Sequence, residues 1–180
     1  MPDKAIALDP KFAVAYNGRG DAWYSRQEYD KALADYDKAI GLDPKFAMAY
    51  RNRGRAWAAK GEYDRAIADY DKAIALDPKL AWAYNGRAWL RATCPNEKYR
   101  DGKRALESAT RACELTDWKE AAHLDTLAAA YAECGDFAHA IEYQEKAQGL
   151  YKEEKDRKKG RDRLALYREK KPYRDAPEAR

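Results

Sequence analysis

Two histidines, three cysteines and 31 carboxylates are the groups in this 180-residue chain that could do chemistry. His123 and His139 stand 16 positions apart, outside any H-E-x-x-H pattern, and both are expected on solvent-facing helix surfaces. Cys94, Cys113 and Cys134 are spaced by 19 and 21, which fits no zinc pattern. They read as small buried residues of a reducing compartment, with a Cys94–Cys113 bridge left open. Carboxylates recur in register, as in Asp35/Asp69 and Asp37/Asp71. A general acid–base pair needs two carboxylates in different environments, so regular recurrence points to a scaffold role. Neither a glycine-rich phosphate loop nor Gly-x-Ser-x-Gly occurs. The expectation is a protein that is not an enzyme, with no metal site and no cofactor.

The elements that carry these residues repeat. Leu8-Asp9-Pro10-Lys11 returns at Leu42-Asp43-Pro44-Lys45 and at Leu76-Asp77-Pro78-Lys79, a period of 34. Residues 8–41 agree with residues 42–75 at 23 of 34 positions. The octapeptide Asp3–Pro10 is identical to Asp71–Pro78, so the chain is expected to open inside the second helix of a preceding repeat. Each unit reads as two helices. In the first, Tyr16, Gly20 and Trp23 share one face of Ala13–Arg26. Gln27-Glu28 makes a break that Gly61 fills in the next unit, and a second helix runs from Tyr29 to about Gly41 with Ala32, Tyr36 and Ala39 inward. Asp43-Pro44 then ends it, because proline cannot continue a helix. Small residues at Gly20 and Ala32 let the two helices approach closely.

Tyr16, Gly20, Trp23, Ala32, Tyr36, Ala39 and Pro44 resemble the tetratricopeptide repeat (TPR) pattern, and Tyr50, Gly54, Trp57, Gly61, Ala66, Tyr70, Ala73 and Pro78 match it again. The resemblance implies an all-α fold: a right-handed α-solenoid of antiparallel helix pairs, about four units with a leading half-repeat and a C-terminal capping helix. Residues 1–12 are assigned to the leading helix, 13–46 and 47–80 to two regular units, and 81–118 to a third with a longer inter-helix loop. Residues 119–152 form a divergent fourth unit, and 153–180 a basic capping helix and tail. The third carries Tyr84 and Ala88 before a Thr93-Cys94-Pro95-Asn96 interruption, then Ala105, Ala109 and Ala112. From Ala88 to Lys146 the chain looks like the last repeats of certain bacterial TPR proteins.

The two regular units differ at eleven positions, and six of these cluster on the first helix: Val14/Met48, Asn17/Arg51, Gly18/Asn52, Asp21/Arg55, Tyr24/Ala58 and Ser25/Ala59. Their spacing marks one face, opposite the packing stripe. In TPR proteins the first helices line a concave surface that takes peptides. On that resemblance the groove carries Asn17, Asp21, Arg51, Asn52 and Arg55, then Trp82, Asn85, Trp89 and Asp125. The alternative is drift on a solvated face, with Trp82 and Trp89 packing against neighbours. The carboxylate clamp of chaperone-tail binders needs Lys and Asn, then Asn, then Lys and Arg. Here the positions hold Asn17 and Asp21, Asn52, and Trp82 and Gly86, so chaperone-tail binding is rejected. Arg19, Arg53 and Arg87 are expected to pair with Asp35, Asp69 or other helical carboxylates on the surface, for under about 1 kcal/mol each.

Net charge is +4, and residues 152–174 hold 11 Lys/Arg against 5 Asp/Glu, so the remainder sums to −2. A basic tail on a near-neutral body argues against a dedicated nucleic-acid binder. The tail reads as a solvated cap that Gly160 weakens by about 1 kcal/mol, or else as an anionic-surface contact. No apolar run reaches membrane-spanning length, and no signal peptide is visible, so a cytoplasmic location is expected. The expected partner is a protein or peptide, with self-assembly into a homo-oligomer as the alternative.

Overall fold

The computed structural model describes residues 2–175, in which there are ten α-helices and no strand. The chain forms two compact units, one through Ala83 and one from Tyr84. The division falls inside the helix Ala81–Thr93.

The first unit contains α1 (Pro2–Leu8), α2 (Ala13–Ser25), α3 (Tyr29–Leu42), α4 (Ala47–Ala59) and α5 (Tyr63–Leu76), and the first turn of α6 (Ala81–Thr93). α2 packs on α3 and α4 on α5 as hairpins, while α3 packs on α4. Alanine makes the close contacts: Ala32, Ala39, Ala49, Ala56, Ala66 and Ala73 are wholly buried. Gly20 belongs with them, because a Cβ there would stand 2.6 Å from the Tyr36 ring. The break between α2 and α3 needs a left-handed residue. Gly61 provides it in the next hairpin at φ +79°, whereas Gln27 adopts it at φ 61° against the preference of an L side chain.

The Leu-Asp-Pro-Lys motif has a second function besides the proline. Asp9, Asp43 and Asp77 each accept the backbone N–H of Lys11, Lys45 and Lys79 at 2.9 Å, closing an Asx turn after the helix. The recurring arginines are more than surface pairs. Arg19 grips Asp35 through Nε and Nη2, both at 2.7 Å, and Arg53 grips Asp69 identically. Both carboxylates are buried, so these bidentate pairs staple one helix of each hairpin to the other. Arg87 departs from this pattern, donating to the Ser108 hydroxyl instead.

The second unit holds the rest of α6, a 3₁₀ turn (Glu97–Tyr99), α7 (Gly102–Glu114), α8 (Ala121–Glu133), α9 (Phe137–Leu150) and α10 (Glu154–Arg168). The lengthened loop after α6 is ordered. Asn96 accepts from the Lys98 N–H at 3.1 Å, Asp101 caps α7 by accepting from the Arg104 N–H at 3.0 Å, and Arg100 donates to the Cys94 and Pro95 carbonyls. Cys94 and Cys113 are buried and not joined by a disulfide, and burial pushes the Cys113 thiol up to about 12. His123 corrects the expectation of a solvent-facing residue: it is wholly buried, with Nδ1 3.1 Å from the Thr116 hydroxyl. His139 does lie at the surface, beside Asp136. Gly160 also reads differently. A Cβ there would collide with the Gln148 side chain and lie 2.9 Å from the Tyr151 ring, so its absence lets α10 pack on α9.

Candidate binding faces

In the first unit, one turn of α2 and one turn of α4 bring five of the nominated residues into a single polar cluster. Asn52 donates from Nδ2 to Asn17 Oδ1 at 3.1 Å and to Asp21 Oδ2 at 3.3 Å. Asp21 also accepts from the Tyr36 hydroxyl at 2.8 Å and from Arg55 Nη2 at 3.2 Å. Arg51 donates to Asn52 Oδ1 at 2.8 Å. Asn17 and Asn52 are buried beneath this layer, which leaves the arginines and Asp21 half-open above them.

An aromatic ring lies against each of the two arginines. The Arg55 guanidinium lies 3.9 Å from the centre of the Tyr24 ring, and Arg51 lies 5.4 Å from that of Trp82, which is 38% exposed. Such stacking is attractive and keeps the donors pre-oriented. Burial, and then the charge of Arg55, push the Arg51 guanidinium below its ordinary value. Asp21 pairs with Arg55 and Arg51 with the neutral Asn52, and Nε of both arginines is buried with no acceptor among the described residues.

The second unit arranges its nominated residues differently. Asp125 is buried and receives Arg163 Nε of α10 at 2.8 Å, so it does not lie on an open groove as its position in the repeat suggested. Burial pushes its carboxyl above the ordinary range even with Arg163 adjacent, so each member of the pair needs the other. Trp89 donates its indole N–H to Asp175 at 2.7 Å and lies tilted against the Tyr173 ring. Asn85 is half-buried and joins neither contact. Elsewhere in this unit Trp118, Leu124, Tyr143, Lys146 and Leu150 line a cleft of about 530 Å³, and Trp118 is held there at φ 60°.

Models of the tetratricopeptide repeat match residues 3–45 and 26–81, and again residues 121–153. The chain belongs to the tetratricopeptide repeat family. Solved TPR structures share its fold. The Cut9–Hcn1 hetero-tetramer of the APC/C superposes with a TM-score of 0.82 at 20% identity over 94% of this chain. The present chain spans about a third of that protein's length, 32%. PilF of Pseudomonas aeruginosa gives 0.72 at 24% identity, covering 87% of this chain and 68% of its own. The first TPR of Spaghetti (RPAP3), bound to the HSP90 peptide SRMEEVD, gives 0.58 at 22% identity, covering 66% of this chain and 89% of its own. At these identities the likeness concerns fold alone. No curated protein matches the chain by sequence.

Several participants escaped the TPR reading of the sequence. Tyr36 packs between the helices by its position in the repeat, and its hydroxyl also anchors Asp21. Arg163 and Asp175 lie outside the repeats, so no spacing connects them to Asp125 and Trp89. Among the described residues, no group of three His, Cys, Asp or Glu side chains could hold a metal ion, and no helix is long and apolar enough to cross a membrane.

Proposed function

We propose that this TPR chain is a non-catalytic interaction scaffold, and that the first-helix face of its N-terminal unit takes an extended peptide or a partner helix. The observation that carries the reading is the Arg51–Arg55 pair. Each guanidinium lies half-exposed against an aromatic ring, Arg55 pairing with Asp21 and Arg51 donating to the neutral Asn52, so the two cations have one paired carboxylate between them. Half-exposed guanidinium groups with little carboxylate pairing favour a ligand that brings carbonyl or carboxylate oxygens, through charge-assisted hydrogen bonds. Trp82 beside Arg51 adds apolar area, and Trp with Arg is the pairing favoured at binding hot spots. Repeat arrays ordinarily bind partners along such extended faces. Asp21 is already occupied by Tyr36, Asn52 and Arg55, so it orders the cluster.

A peptide-display screen against the full chain tests this. Arg51→Glu and Trp82→Ala should each weaken the selected peptides by about tenfold or more. Binding indifferent to both changes would exclude the face.

A second reading, self-association, draws on Leu8, Phe12 and Val14, which are 88%, 44% and 54% exposed near α1. Sedimentation over a wide concentration range separates the readings: a strict monomer removes this one and leaves the first. The basic tail supports a polyanion contact poorly, because Arg161, Arg163 and Arg168 are engaged by Glu154, Asp125 and Glu145.

A further inference from the structure

After α10 the chain reverses and returns across its own unit. Lys170 turns it at φ 56°, and the Lys171 N–H bonds back to the Leu166 carbonyl at 2.9 Å. From there residues 172–175 run without helix or strand, and each of the last three side chains finds a complementary group. The Tyr173 ring lies 5.7 Å from that of Trp89. Arg174 pairs with Glu133 at 2.7 Å, and Glu133 is itself fixed by Arg100 at 3.1 Å. Asp175 accepts the Trp89 indole N–H at 2.7 Å, and its own N–H reaches the Thr93 carbonyl at 2.8 Å.

This is the geometry of a bound peptide. An aromatic residue, an arginine and a carboxylate each occupy a place built by α6 and α8, and one backbone hydrogen bond joins Asp175 to α6. We infer that residues 172–175 are a displaceable internal ligand. The surface formed by Trp89, Thr93 and Glu133 is then a second peptide site, whose partner presents an extended segment with an aromatic residue, arginine and an acidic residue in that order. The tail stays in place by tethering. The turn at Lys170 and Lys171 tethers it at an effective concentration of about millimolar, which outcompetes a free segment of the same affinity. It opens more readily than α10, whose Tyr167 is wholly buried.

The probe is a capped synthetic hexapeptide with the sequence of residues 170–175, fluorescently labelled. The receptors are the full chain and its Arg174→Ala/Asp175→Ala variant, which removes the tail's anchors and leaves the site residues intact. The variant should bind the hexapeptide at least about tenfold more tightly than the unaltered chain, since its competent fraction rises. Adding Glu133→Gln should reverse most of that gain. Equal binding to both receptors, or no saturable binding to a variant that melts like the parent, overturns the inference. A variant that no longer melts cooperatively makes the tail part of the core and overturns it as well. Native-state hydrogen exchange of the unaltered chain gives an independent reading. The Asp175 amide should exchange through local opening, and exchange only through global unfolding would contradict a displaceable tail.

Discussion

The first-helix faces of the two units solve opposite problems with similar residues. In the N-terminal unit Arg51 and Arg55 lie half-open over a buried asparagine pair, stacked on Trp82 and Tyr24. In the C-terminal unit the equivalent face meets an arginine from α10, and Arg163 reaches both the buried Asp125 and the vicinity of the Trp89 ring. One arrangement leaves cations short of acceptors, while the other pairs its cation fully. A repeat pattern therefore specifies where a face lies, and residues outside the repeat decide whether it is open.

The largest break in this comparison comes from Asp125→Ala. It strands Arg163 as a buried charge and should cost about 3–5 kcal/mol in a denaturant titration. Arg55→Ala removes a half-exposed member of the N-terminal cluster and should cost no more than about 1 kcal/mol. Equal losses would mean that the two faces are equally structural.

A smaller effect tests the hairpin packing that presents the open face. Gly20→Ala pushes a methyl group against Tyr36 and should destabilise by about 1–3 kcal/mol. Gly18, two positions earlier on α2, meets nothing within 4 Å, so Gly18→Ala should stabilise by up to about 1 kcal/mol through helix propensity. Opposite shifts in melting temperature are expected, and shifts of the same sign would contradict the packing. A comparably small effect is at Gln27. Replacing it with glycine relieves a left-handed backbone and should gain about 1 kcal/mol, as its equivalents Gly61 and Gly135 already do without strain.

The hairpins were legible because they rest on local rules. A 34-residue period, small residues at Gly20 and Ala32, and proline after each second helix are written along the chain. The Arg19–Asp35 and Arg53–Asp69 pairs were legible for the same reason, since each recurs at a fixed separation of 16. Burial was less so. Nothing in the residues near His123 distinguishes it from a surface histidine, because what encloses it is α8 packing on α7. Asp125 and Arg163 are 38 positions apart and occur once, so periodicity carries no information about them. Of the binding face, the variable positions follow from comparing the two units, but the contact of Arg55 with Tyr24 is a matter of three-dimensional packing between two variable positions, which periodicity does not fix.

The most direct test follows the five tryptophan indole N–H signals of the isotope-labelled chain while the tightest peptide from a display screen is titrated in. If the N-terminal face holds the partner, the Trp82 signal moves in step with saturation, while the Trp89 signal, bonded to Asp175, stays in place. A peptide that saturates the chain, moves Trp89 and leaves Trp82 unchanged would contradict that assignment.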